Sequence, residues 1–222
     1  LNVYQYKLLQ EIYNRTVRPY LPKTWAVYSG VTVRNARLFD LEACDPDYKL
    51  GLIEAIREHS ESRNVELVGL GRGVSTVHAI QAGATHVTAY EASKSMIDEA
   101  RTTLDVNWCD RSRLTIRHAL VGEDVNVFGA VGEADQMSPS ELNTADMLVL
   151  DVEGAELGIL DSISTWPEIV IVETHPALGA PTAEVLDRLE PVYADVEARE
   201  HKPGAPPEKQ VVVASGKSVS GE

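Results

Sequence analysis

From about residue 45 onward, short apolar runs alternate with stretches in which apolar residues recur every three or four positions. Val65 to Leu70, His86 to Tyr90, Leu114 to Leu120, Met147 to Val152, Ile169 to Glu173 and Gln210 to Ala214 read as strands. Between them, Leu52, Ile53 and Ile56 share a helical face. So do Val77 and Ile80, then Ile97, Ala100 and Leu104, then Leu157, Leu160 and Ile163, and finally Val185, Leu186 and Leu189. Asp45-Pro46 predicts an N-cap with Pro at the first helical position, Gly83 a helix end, and Ser93 a further cap. Strands alternating with helices imply parallel βαβ units, and strands that are apolar throughout imply a sheet covered on both faces. The first 44 residues read differently. Tyr4, Leu8 and Ile12 suggest one amphipathic helix, Leu21-Pro22 ends it, and residues 25–39 look like short strands or loop. The expected division is therefore an N-terminal extension, residues 1–44, followed by one α/β domain, residues 45–222.

Charge changes the picture of partners. The 222 residues carry 34 acidic and 20 basic side chains, a formal net charge of -14. Such a chain lacks the cationic excess that displaces counterions from a polyanion, so nucleic acid is expected not to be a partner. A polybasic membrane surface is excluded on the same ground. The longest aliphatic runs, such as Ile169 to Val172, fall far short of the ~20 residues a membrane helix requires. No signal-peptide core precedes Gln10, and Leu1 is not an initiator Met, which points to a trimmed chain or a missing start. Two cysteines, Cys44 and Cys109, build neither a disulfide framework nor a Cys-rich zinc site. A cytoplasmic location is expected. Of the basic residues, 13 are Arg and 7 Lys, and this acid-rich, Lys-poor surface suits a protein kept soluble in high salt as well as an ordinary acidic one.

In a parallel sheet the ligand lies beyond the carboxyl ends of the strands, near the point where strand order reverses. The segments there are Gly69 to Gly73, Glu91-Ala92, Ala119-Leu120, Asp151 to Gly154 and Glu173 to His175. Gly69, Gly71 and Gly73 flank Leu70 and Arg72 in a turn that lets the backbone approach a ligand closely. Glu91, twenty residues after Gly71, can accept two hydrogen bonds from a ribose diol. The spacing fails the G-x-G-x-x-G dinucleotide fingerprint, because Val74 or Thr76 stands where the third glycine is needed, and no Lys follows to make a P-loop. A nicotinamide-dependent oxidoreductase is thus disfavoured, and a nucleoside-type cofactor without a pyrophosphate is favoured. Asp151 and Glu153 could orient an acceptor hydroxyl, take its proton or bind a metal; alternatively they cap a helix and line a turn. Glu173 and His175 share a strand face, so His175 is a candidate general base.

These residues resemble the class I S-adenosylmethionine-dependent methyltransferases, and specifically the FkbM-like family, over roughly residues 45–215. The resemblance is carried by Val65 to Ser75 with Val87 to Ser93, by Asn107 with Leu114 to Gly122, by Met147-Leu148-Val149-Leu150-Asp151-Val152-Glu153-Gly154-Ala155-Glu156, and by Ile169 to His175. It implies a Rossmann-like methyltransferase fold with a mostly parallel seven-stranded sheet. It also implies S-adenosylmethionine held by Gly69, Leu70, Gly71, Gly73, Glu91, Ala92, Ala119, Leu120 and Asp151, with Asp151, Glu153 and His175 as catalytic candidates; no metal ligand is assigned. The implied acceptor is an oxygen, less often a nitrogen, of a small molecule or glycan. The alternative is a degenerate methyltransferase fold that binds adenosyl ligands or a protein without turnover. One departure stands out. The acidic residue usual two positions before the first glycine is Leu67 here, and Glu66 points to the opposite face of the strand; weaker cofactor binding is expected.

Overall fold

The computed structural model describes residues 12–38, 40, 43–122, 133–142 and 145–217. Its centre is a sheet of eight strands: β4 (Asn64–Val68), β5 (His86–Glu91), β6 (Leu114–Val121), β7 (Asp135–Met137), β8 (Met147–Leu150), β9 (Ile169–Glu173), β10 (Tyr193–Glu200) and β11 (Gln210–Lys217). The spatial order is β10-β11-β9-β8-β4-β5-β6-β7. Neighbours from β9 to β7 are parallel, while β11 runs antiparallel to β9 and β10 antiparallel to β11. The order reverses between β4 and β8, so the carboxyl ends of these two strands open a crevice.

Side chains alternate across this sheet, and each face has its own core. Val65, Leu67, Val87, Ala89, Met147, Val149, Ile171 and Val213 point to one side. There they pack on helices α1 (Leu50–His59), α2 (Val74–Gln81) and α3 (Lys94–Val106), through Leu52, Ile56, Val77, Ile97 and Leu104. Val68, Tyr90, Leu148, Leu150, Val172 and Val212 point the other way, onto α4 (Glu156–Ser162) and α5 (Thr182–Leu189), through Ile159, Val185 and Leu189. The doubly covered parallel sheet is the one the continuous apolar strands predict.

Three differences have physical reasons. A second sheet, of order β2-β1-β3, forms from β1 (Lys23–Tyr28), β2 (Val31–Arg37) and β3 (Cys44–Asp45). Its Ala26, Val31, Val33 and Ala36 enter the same core as α2 and α3, so the N-terminal layer is joined to the main body across the expected boundary at residue 44. Helix α1 does not start at Asp45-Pro46. Asp45 pairs with Tyr28 as the last residue of β3, residues 46–49 form turns, and Lys49 is the N-cap in a left-handed conformation (φ 49°, ψ 39°). The added strands β7 and β10 lie at the sheet edges; β10 carries mostly exposed polar residues and lacks the apolar run that marks an interior strand. Tyr4 and Leu8 of the expected first helix lie outside the described residues, and residues 12–16 are helical. Among the described residues no helix is long and apolar enough to cross a membrane.

Candidate active site

The crevice between β4 and β8 holds a cleft with a cavity volume of about 200 Å³. Its lining joins four strand ends: Val68 to Arg72 after β4, Tyr90 to Ala92 from β5, Ala119 to Val121 from β6, and Asp151 to Glu153 after β8. Every residue assigned from sequence to the cofactor borders it except Gly73, which lies one step behind as the N-cap of α2. Tyr48, Lys49 and Met96, which sequence reasoning had not assigned a role, also border it, as does Arg72, for which the sequence left open a cofactor carboxylate or solvent as its partner.

The glycine turn is set by close approach. Gly69 has φ +95°, and a Cβ there would stand 1.9 Å from the Asp151 carbonyl oxygen. The backbone of the β8 loop therefore lies directly against the turn, fixed by the Asp151 N–H donating to the Val68 carbonyl at 3.0 Å. Gly71, at φ +51°, faces no protein atom within 4 Å of its missing Cβ, so space for a ligand begins there. The Gly71 N–H donates to Glu91 Oε2 at 2.9 Å, and the Ser93 N–H donates to Oε1 at 2.8 Å. Two backbone donors thus orient the Glu91 carboxylate at the cleft wall. Burial pushes its pKa up despite those donors.

Leu67 is fully buried in the core beneath the turn, so the position expected to be acidic is apolar packing here. Glu66 lies on the other face, where the Tyr90 hydroxyl donates to it at 2.8 Å. Arg72 reaches Glu99 of α3 at 3.3 Å.

At the cleft floor Lys49 Nζ donates to both oxygens of Asp151, at 2.7 and 2.6 Å, and lies 2.9 Å from Glu173 Oε2. Glu173, with no exposed side-chain surface, also faces Lys209 at 2.5 Å, His201 at 3.1 Å and His175 at 3.4 Å. Burial alone would raise the Glu173 pKa, but Lys49, His175, His201 and Lys209 together hold it well below the usual carboxylate range. Asp151 moves the other way, raised by burial and by the charge of Glu173, because one ammonium serves two buried carboxylates. Lys49 is raised well above its ordinary value: burial opposes its charge, and Asp151 and Glu173 outweigh burial.

Asp151, Glu173 and His175 have ligand atoms within 4.8 Å of one another, a spacing a metal ion could use. The Lys49 ammonium already bridges the two carboxylates of that set, so the cation their chemistry calls for is supplied by the chain.

His175, the general-base candidate from sequence, is not among the residues that line the cleft. Its ring bridges Glu156 (Nδ1 to Oε1, 2.5 Å) and Glu173, outside the cleft lining. Burial works against its charge, but Glu156 and Glu173 prevail and push its pKa up to about 9. A protonated imidazole with both nitrogens engaged cannot accept a proton at neutral pH. Asp151 and Glu153 both line the cleft; Glu156, rather than either of them, accepts the Gly154 N–H at the start of α4.

Sequence reasoning missed Lys49 because it placed a helix start at Asp45. A left-handed Lys at a helix N-cap leaves no pattern in a single sequence.

No family model matches the chain, and no curated protein does. Solved structures do. A putative S-adenosylmethionine-dependent methyltransferase from Streptococcus mutans superposes with a TM-score of 0.57 at 14% identity, over 98% of this chain and 67% of that one. TYW2 of M. jannaschii, in complex with AdoMet, gives 0.53 at 11% identity, over 87% of this chain and 84% of that one. The 16S rRNA methyltransferase RsmC of T. thermophilus, in complex with AdoMet and guanosine, gives 0.52 at 17%, over 87% of this chain and 50% of that one. These likenesses establish the fold: the chain has the Rossmann-like architecture of class I S-adenosylmethionine-dependent methyltransferases. They also correct the expectation that excluded nucleic acid. An rRNA methyltransferase shares this fold, and the net charge of a whole chain does not decide which surface meets an acceptor.

Proposed function

We propose that the chain is an S-adenosylmethionine-dependent methyltransferase whose cofactor lies in the cleft between β4 and β8. The observation that carries this reading is the pairing of the Gly69–Gly73 turn with Glu91, whose carboxylate is held by the Gly71 and Ser93 N–H groups at the wall of an open cleft. The donor set fits the group. Glu91 offers acceptors for a ribose diol, Gly71 leaves room for the methionine part, and Ala92, Ala119 and Leu120 give a small apolar wall suited to an adenine ring. The bound sulfonium supplies a methyl already activated for transfer, and the protein's task is positioning. Tyr48, Lys49, Asp151 and Glu153 border the side left for the acceptor. Lys49 holds Asp151 in place, so Asp151 acts as an oriented hydrogen-bond acceptor, and Glu153 is the carboxylate without an ammonium clamp.

The sequence motif at Met147 to Glu156 supports the FkbM-like assignment and, with it, transfer to an oxygen of a small molecule or glycan. The fold shared with an rRNA methyltransferase supports a second acceptor class, RNA. Calorimetric titration with S-adenosylhomocysteine tests the cofactor reading. The protein should bind it, and Glu91→Ala should weaken binding at least tenfold, since hydrogen bonds to a charged group contribute ~1.5–3 kcal/mol each. Absence of binding by the folded protein would overturn the reading. Binding without methyl release to any acceptor would favour the degenerate module instead.

A further inference from the structure

The chain is acidic as a whole, yet residues 12–38 contain Arg15, Arg18, Lys23, Arg34 and Arg37 and no Asp or Glu. This segment forms the N-terminal layer. Ala26, Val31, Val33 and Ala36 bury its inner face against the core. The outer face carries Trp25 and Val27 on β1 and Arg34 on β2, with Trp25 48% exposed. The Arg34 guanidinium sits 5.8 Å from the centre of the Trp25 ring. Tyr20, just before β1, is 86% exposed.

The positive charge here is not simply cancelled. Arg18 is paired with Asp40, but the Arg37 guanidinium donates to the Leu21 carbonyl at 2.6 Å, an uncharged partner. Glu99 is shared by Lys23 and Arg72, two cations on one carboxylate. The layer is also tied to the cleft. Tyr28, at the end of β1, stacks on Tyr48 of the cleft lining (4.7 Å between ring centres), and Lys23 and Arg72 meet on Glu99.

An aromatic ring standing clear of the surface beside an arginine, in a basic zone, is the chemistry that binds unpaired bases and the phosphates between them. Apolar partners would leave the cations without counter-charges. We propose that the outer face of β1 and β2 is a docking surface for single-stranded RNA, with a base stacked on Trp25 and phosphate held by Arg34 and Arg37. The proposal rests on the methyltransferase reading and selects RNA as the acceptor-bearing molecule.

A fluorescein-labelled oligouridylate tests it by anisotropy at low and moderate salt. The protein should bind, with affinity falling as salt rises. Trp25→Ala should weaken binding about tenfold or more, Trp25→Phe should restore most of it, and Arg34→Glu should weaken it further. S-adenosylhomocysteine affinity should be the same in all three, which shows that they fold and separates this test from that of the cofactor site. Ultraviolet cross-linking of the unaltered protein should map to β1 and β2. No binding, binding indifferent to these substitutions, or cross-links elsewhere would overturn the proposal. So would a dimer in sedimentation that Trp25→Ala dissolves, since that would make the face a protein interface.

Discussion

His175 sits between Glu156 and Glu173 with its pKa pushed up to about 9. In an unfolded chain the same imidazole titrates near 6.5. Its folded value is the higher one, so its contribution to stability is complete below about pH 6.5 and is lost as pH rises through about 9. The loss should be about 3 kcal/mol, less whatever the surrounding ionic groups redistribute. Denaturant unfolding at pH 6 and pH 9.5 measures it, and His175→Gln should flatten that dependence. A profile that is unchanged in the variant would place the titrating group elsewhere. The His175 position was legible in sequence, because alternate residues at a strand end share a face. Its role was not, because the partner Glu156 lies 19 residues away and only packing brings it within 2.5 Å. Lys49 and Asp151 are a more distant case, separated by 102 residues.

At the level of elements, the glycine turn separates two demands that look identical in sequence. A Cβ at Gly69 would meet the Asp151 carbonyl at 1.9 Å, whereas one at Gly71 would meet nothing within 4 Å. Gly69→Ala should therefore lower the melting temperature sharply, because β4 and the β8 loop must part. Gly71→Ala should cost only about 1 kcal/mol for its left-handed backbone, yet weaken S-adenosylhomocysteine binding by filling ligand space. Melting curves and calorimetry on the two variants should give opposite rankings. Interior strands were readable because both their faces are buried: β9 has five buried residues in succession and begins where the apolar run Ile169 to Val172 begins. β10 was missed for the complementary reason, since only Tyr193 in it is fully buried. The start of α1 was misplaced because Asp45-Pro46 satisfies a capping pattern that pairing of β3 with β1 overrides.

Over the whole molecule, the -14 charge repels itself, and screening should offset that repulsion. If the acidic surface is an adaptation to salt, the melting temperature should rise between low and molar salt concentration; a flat response would assign the acidity to ordinary solubility. What composition could not reveal is that the charge is uneven, with the acid-free stretch 12–38 gathered into one layer. The floor of the cleft has a different history from its walls. Lys49 is made early in synthesis, while Asp151, Glu173, His201 and Lys209 follow in that order toward the end of the chain. Until the loop after β8 has left the ribosome, the Lys49 ammonium has no counter-ion to justify its burial, and until the β10–β11 hairpin follows, Glu173 lacks two of its neighbours. The glycine turn and Glu91 can take shape on the nascent chain long before then. In the order of birth, a pocket for the nucleoside comes first, and the side that meets the acceptor closes last.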